Sequence, residues 1–180
     1  LVIGAGSSGG QIADELQRAG RKVFLCVGPH DRPPRSYRDR DYCWWLGVLG
    51  LWDLAAKTPG TEHVTISVSG AQGGKTVDFR KFAHDGMVLL GRASGYKNGK
   101  LIISNDLKKN ITEGDTNYLE LLTKADTYIE KFGINLPEEP KAHILLNDPE
   151  CITTPILELD MEKEGIRSVI WATGYEQDFS

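Results

Sequence analysis

Short apolar runs alternate with glycine-punctuated polar stretches over the first part of the chain. Leu1-Val2-Ile3 is one such run, and from Ser8 the apolar positions Ile12, Ala13, Leu16 and Ala19 fall on one helical face that ends at Gly20. Val23-Phe24-Leu25-Cys26-Val27 is continuously apolar and of strand length, the pattern of a parallel strand buried on both faces. The order is strand, helix, strand. Gly28 to Arg40 is polar, carries Pro29, Pro33 and Pro34, and reads as loop.

Beyond the loop, Tyr42 to Leu54 has helical spacing with apolar groups on nearly every face, which requires burial or a covering partner. Val64 to Val68 alternates like a strand. Val77, Phe79, Phe82 and Ala83 predict a short helix ended by Gly86. Met87–Leu90 and Leu101–Ile103 read as strands around Gly95–Gly99, a hairpin pattern. Tyr118, Leu121, Leu122, Ala125, Ile129 and Phe132 form an amphipathic stripe stopped by Gly133, and Ser168–Ala172 is the last predicted strand.

Composition narrows the class. The 180 residues are 40% apolar and 26% charged, with a net charge of −4, which suits one globular domain and gives no electrostatic case for nucleic-acid or general membrane binding. The longest apolar run, Tyr42 to Trp52, is far below the roughly 20 residues that span a bilayer. The three cysteines, Cys26, Cys43 and Cys151, contain no C-x-x-C pair, so no disulfide framework, zinc site or redox dithiol is expected. The expected location is the cytoplasm. The chain opens directly into a glycine motif and stops just after a strand, and we read it as a piece of a longer polypeptide.

Gly4-Ala5-Gly6-Ser7-Ser8-Gly9 matches G-x-G-x-x-G directly after a strand and at the start of a helix. In that context the first glycine permits the tight turn, the second lets the backbone approach a pyrophosphate, and the third lets the helix pack close to the strand. The pyrophosphate would rest on the helix N-terminus, with Ser7 and Ser8 adding hydroxyls. The fold class expected from this is α/β: a Rossmann-like parallel sheet flanked by helices, with a small β-hairpin insertion. In such folds a carboxylate about 20 positions past the glycines holds a ribose 2′-hydroxyl. Here Val27 is followed by Gly28-Pro29-His30, Asp31 comes late, and Arg32, Arg35, Arg38 and Arg40 follow. Guanidinium groups are the expected partners of a 2′-phosphate, so NADP(H) is expected over NAD(H), with Arg32 and Arg35 as the candidate contacts.

Ser69-Gly70-Ala71-Gln72-Gly73-Gly74-Lys75-Thr76 comes within one residue of the phosphate-loop pattern, with Ser69 in place of the leading glycine. A triphosphatase built on Lys75 and Thr76 also needs a carboxylate at the end of another apolar strand to hold magnesium, and none of the predicted strands clearly ends that way. The segment is therefore expected to be a glycine-rich connection. His30, His63, His84 and His143 have no metal-site or triad spacing and read as surface or structural. Trp44, Trp45 and Trp52 read as core or interface.

In Gly4-x-Gly6-x-x-Gly9, the arginine-bearing loop and Ala172-Thr173-Gly174-Tyr175, the chain resembles the class B flavin-dependent monooxygenases and related FAD-dependent oxidoreductases with two dinucleotide-binding domains. The resemblance implies that residues 1–180 are an NADP(H)-binding domain inserted into an FAD domain, with 171–180 as the return crossing. It implies dinucleotide contacts from Gly4, Gly6, Ser7, Ser8 and Gly9, a 2′-phosphate role for Arg32 or Arg35, and a place for Thr173 and Gly174 near the junction of flavin and nicotinamide. The family's FAD fingerprint and its F-x-G-x-x-x-H motif are not in this sequence, so FAD is expected to be held by the other domain, and this piece by itself is expected neither to hold flavin nor to turn over. No catalytic acid or base is identified. The function implied is delivery of hydride from NADPH to FAD for oxygenation of a small organic substrate. A module that senses NAD(P) without chemistry, for example in the control of transport, is the alternative from another class.

Overall fold

The structure, a computed structural model, describes residues 1–54 and 65–175. Its first unit is the predicted one: β1 (Val2–Ile3), α1 (Ser7–Arg18) and β2 (Phe24–Cys26), with Gly20 at φ 74° ending the helix. A two-stranded ribbon, β3 (Ser36–Tyr37) and β4 (Arg40–Asp41), then leads into α2 (Tyr42–Val48). After the undescribed stretch come β5 (Val68–Ser69) and β6 (Lys75–Thr76), an antiparallel pair. They are followed by α3 (Phe79–His84), β7 (Val88–Leu90), β8 (Ala93–Lys97) and β9 (Lys100–Ile103). The chain closes with α4 (Leu107–Phe132), α5 (Glu150–Thr153), β10 (Glu158–Asp160) and β11 (Ile170–Trp171).

Four strands form a parallel sheet in the order β11-β1-β2-β7, so the molecule is mixed α/β. Registers Val2↔Leu25↔Leu89 and Ile3↔Cys26↔Leu90 put alternate residues on opposite faces. The Val2, Leu25 and Leu89 face packs under helices through Ala13, Phe79, Leu107 and Ile111. The opposite face, Ile3, Phe24, Cys26 and Leu90, packs on Leu101, Ile103 and Leu159 of a three-stranded antiparallel sheet, β10-β9-β8. Helices therefore flank one face and a second sheet covers the other.

That second sheet corrects the expected hairpin. Met87–Leu90 does not pair with Leu101–Ile103; its strand joins the parallel sheet, and the hairpin is β8 with β9. The turn is Asn98-Gly99, at φ 52° and 79°, the two-residue left-handed turn whose twist matches paired strands. Strand β10 was not foreseen.

Two helices also differ in extent. α2 stops at Val48 because Gly50, at φ 66°, turns the chain left-handed and Leu51 N–H bonds back to the Leu46 carbonyl at 2.8 Å. Trp45 is fully buried and donates to the Tyr37 carbonyl at 3.0 Å, Trp44 stacks edge-on against it, and Trp52 is 60% exposed, so the tryptophan cluster is part core and part surface. α4 begins at Leu107, well before Tyr118. Its inward stripe runs Leu107, Ile111, Gly114, Tyr118, Leu122, Ala125, Ile129, unbroken in spacing but interrupted chemically by a glycine. Of the predicted strand Val64–Val68, Val64 lies outside the described residues, Ile66 makes a single bridge to Asp31, and β5 begins only at Val68.

Candidate functional site

Gly4 sits at the carboxyl end of β1 with φ 104°, and a Cβ there would fall 2.3 Å from the Ala172 carbonyl oxygen. At Gly9 a Cβ would come within 1.9 Å of the Gly4 carbonyl oxygen, so only glycine lets α1 start this close to the strand it follows. Gly6 caps α1 in extended conformation without a side-chain cap, and the first helical bond is Gly10 N–H to its carbonyl at 2.9 Å. The N–H groups of Ser7, Ser8 and Gly9 consequently find no acceptor among the described residues. Together with the helix dipole, these donors form a site for an anion.

Ser7 and Ser8 open into a cavity of about 540 Å³ over the carboxyl ends of the parallel strands. Its walls come from Gly4, Gly6, Ser7 and Ser8 after β1, Gly28, Pro29 and His30 after β2, Arg92 after β7, and Thr173, Gly174 and Tyr175 after β11. β1 connects on to β2 on one side, while β11, the last strand, lies on its other side. The crevice thus stands at the point where the strand order reverses, the position ligands take in open parallel α/β sheets. A second cavity, about 440 Å³, lies between α1, the β5–β6 pair and α3, away from the strand ends.

Of the expected contacts, Gly4, Gly6, Ser7, Ser8, Thr173 and Gly174 line the crevice together. Gly9 lies behind it, in contact with the β1 end. The Ser7 hydroxyl is engaged within the protein, donating to the Ile66 carbonyl at 2.8 Å, and Ser67 Oγ donates to the Ala5 carbonyl, so residues 65–68 strap the glycine loop.

The two arginines are placed elsewhere. Arg32 is 3% exposed: its Nη2 meets Asp115 at 2.7 Å, its Nη1 donates to the Val77 carbonyl at 2.9 Å, and its guanidinium lies 4.4 Å from the centre of the Tyr118 ring. Arg35 pairs with Asp41 and packs its stem against Gly74. Neither lines the crevice. A loop arginine next to a parallel strand can turn either way, and here Asp115, from the far-off α4, draws Arg32 into the interior. Arg38 pairs with Asp126 at 2.8 Å, and Arg40 lies over the Trp44 ring. Asp31 holds the strap by backbone bonds, to Thr65 and from Ser67 at 2.8 Å each, and its half-buried carboxyl is pushed upward in pKa by burial.

The near phosphate loop is a hairpin connection. Residues 71–73 form a short 3-10 turn between β5 and β6, Lys75 and Thr76 lie in a strand, and Thr76 Oγ1 accepts from Arg35 N–H at 2.9 Å. No helix begins there to aim N–H groups at a phosphate. His30 is 7% exposed with Nδ1 2.9 Å from the Gly28 carbonyl, His84 meets the Asn147 carbonyl, and His143 meets Asp126 and Tyr37; His63 lies outside the described residues. The described residues contain no group of side chains suited to a metal. Cys26 is buried, and burial pushes its thiol up to about 12.

Two crevice features went unforeseen. Arg92 follows Gly91 directly after a strand, a pattern that marks a strand-end residue once β7 is known to be parallel to β2. Asn110, buried on α4, donates to the Val27 carbonyl at 3.0 Å and ties down the β2 end. No helix among the described residues is long and apolar enough to cross a membrane. Compared with protein-family models, with curated proteins and with solved structures, the chain gives no match.

Proposed function

We propose that this chain is the NADP(H)-binding part of a flavin-dependent monooxygenase or oxidoreductase, built on a Rossmann-like sheet. What carries the reading is that the N–H groups of Ser7, Ser8 and Gly9 at the start of α1 find no acceptor among the described residues, with Ser7 and Ser8 lining a crevice at the strand-order reversal. The pyrophosphate would rest on Gly4, Gly6, Ser7 and Ser8. The adenosine end would extend over Gly28 to His30, and the nicotinamide end toward Thr173 and Gly174. NADPH supplies a hydride when bound, and FAD supplies the oxidative chemistry from the flavin domain. This chain's own contribution is to orient the nicotinamide and exclude water around it.

Titration of the protein with NADPH and with NADH, following nicotinamide fluorescence, tests the binding. Saturable binding of at least one is expected, and binding of neither overturns the reading. Loss of the oxidised-flavin absorbance on adding NADPH to the FAD-loaded full-length polypeptide, flavin domain included, tests the chemistry. Dinucleotide binding with no flavin reduction would point instead to a sensing module.

A further inference from the structure

We propose that Arg92, rather than Arg32 or Arg35, is the residue that makes this crevice prefer a 2′-phosphorylated dinucleotide, an inference that rests on the dinucleotide-binding reading above. The position just after β2 is where such folds place the carboxylate that holds a ribose 2′-hydroxyl. Here it is Gly28, and the space a side chain would use is taken by the stem of Arg92: a Cβ on Gly28 would lie 3.3 Å from its Cγ and 3.4 Å from its Cδ. A guanidinium carried across from β7 thus stands in for the missing carboxylate, with the opposite charge.

The arginine is held in a built setting. Its backbone N–H donates to Asp106 Oδ1 at 3.0 Å, its carbonyl accepts from Ser104 N–H at 2.9 Å, and its Nε donates to Asp106 Oδ2 at 2.9 Å. Gly91 lets the strand end reach this position, because a Cβ there would fall 2.1 Å from the Ser104 carbonyl oxygen. Asp106 therefore orients the planar group through one edge. The two Nη nitrogens make no hydrogen bond among the described residues, and the side chain is 61% exposed at the crevice wall. Two adjacent N–H donors on a fixed plane match two phosphate oxygens. Of the arginines after β2, Arg32, Arg35 and Arg38 are occupied with Asp115, Asp41 and Asp126, and Arg40 donates to the Asp39 carbonyl and lies over the Trp44 ring.

Dissociation constants of NADPH, NADH, 2′,5′-ADP and 5′-AMP, measured by calorimetry for the wild-type protein, Arg92→Ala and Arg92→Lys, test this. The wild type should bind NADPH and 2′,5′-ADP more tightly than NADH and 5′-AMP. Arg92→Ala should weaken the two 2′-phosphorylated ligands about 10- to 100-fold, the range of a charge-assisted pair, and leave the other two within about twofold. Arg92→Lys should recover part of the loss, since it keeps the charge without the fork. Unchanged NADPH binding in Arg92→Ala, equal loss for all four ligands, or a wild type indifferent to the 2′-phosphate overturns the assignment while leaving the dinucleotide site standing. No binding of any of the four by the wild type overturns the dinucleotide reading itself. Arg92 is exposed enough that unchanged thermal unfolding is expected for both variants.

Discussion

His30 and Gly114 show how one residue's chemistry sets another's identity. The imidazole is wedged against α4 so tightly that a Cβ on Gly114 would lie 2.5 Å from Nε2. Its Nδ1 faces the Gly28 carbonyl at 2.9 Å and so carries the proton, which leaves Nε2 as a bare, buried nitrogen with no partner among the described residues. Burial, and then the neighbouring Arg32 charge, lower the His30 pKa below its ordinary 6.5. The folded state therefore binds a proton less readily than the unfolded chain, and stability is full above about pH 6.5 and falls as the pH drops toward the lowered value. Urea unfolding across pH 5 to 8 should show this slope, and His30→Asn, which keeps a donor for Gly28, should flatten it. An unchanged slope in the variant would remove His30 as its source.

At the scale of elements, the second sheet depends on one turn. Asn98 and Gly99 both lie in the left-handed region, and β8 would otherwise be an exposed ribbon held only by its pairing to β9. Gly99→Ala forces a Cβ into that region at a cost of roughly 1–2 kcal/mol, measurable as a shift in the urea midpoint with unchanged m-value. The turn follows the far end of β8 from Arg92 and Ala93, which line the crevice, so if the proposed dinucleotide site is correct NADPH affinity should be preserved. Asn-Gly between apolar strands is a strong short-range hairpin signal, and it places the turn where β8 meets β9. The Met87–Leu90 run competes with that signal, because its length suits either an antiparallel partner or a buried parallel strand. The start of α4 was hidden for a related reason: Asn110, Gly114 and Asp115 face inward, and a polar inward face carries no hydrophobic period.

Across the whole molecule, the loop after β2, α3, α4 and the segment before α5 meet on one carboxylate and its neighbours. Asp115 pairs with Arg32 at 2.7 Å and with Arg80, and Arg80 continues to Asp148 at 2.9 Å. Arg32 and Asp115 are both nearly inaccessible, so neutralising the carboxylate leaves the Arg32 cation in the interior without its counter-ion, while Arg80 keeps Asp148. Asp115→Asn should destabilise the protein by about 3–5 kcal/mol in urea unfolding, the cost of breaking a buried pair on one side. A loss under about 1 kcal/mol would mean the pair is not what holds the β2 loop against the helices.

The first strand, helix and strand, the glycine loop that joins them and the amphipathic half of α4 were legible in the sequence, because each is marked by an apolar period or a glycine spacing that spans only a few residues along the chain. Glycine at positions 4 and 9 is required by atoms of Gly4 and Ala172, and the fingerprint records that requirement in residue type alone. Which arginine stands at the crevice was settled only by the tertiary structure. Four arginines lie close after β2 in sequence, but a buried carboxylate on α4 draws one inward, surface carboxylates occupy two others, and strand pairing brings Arg92 beside Gly28. Burial and charge pairing act between residues that are distant along the chain, so the loop's own sequence contains no information about which of its cations remains available.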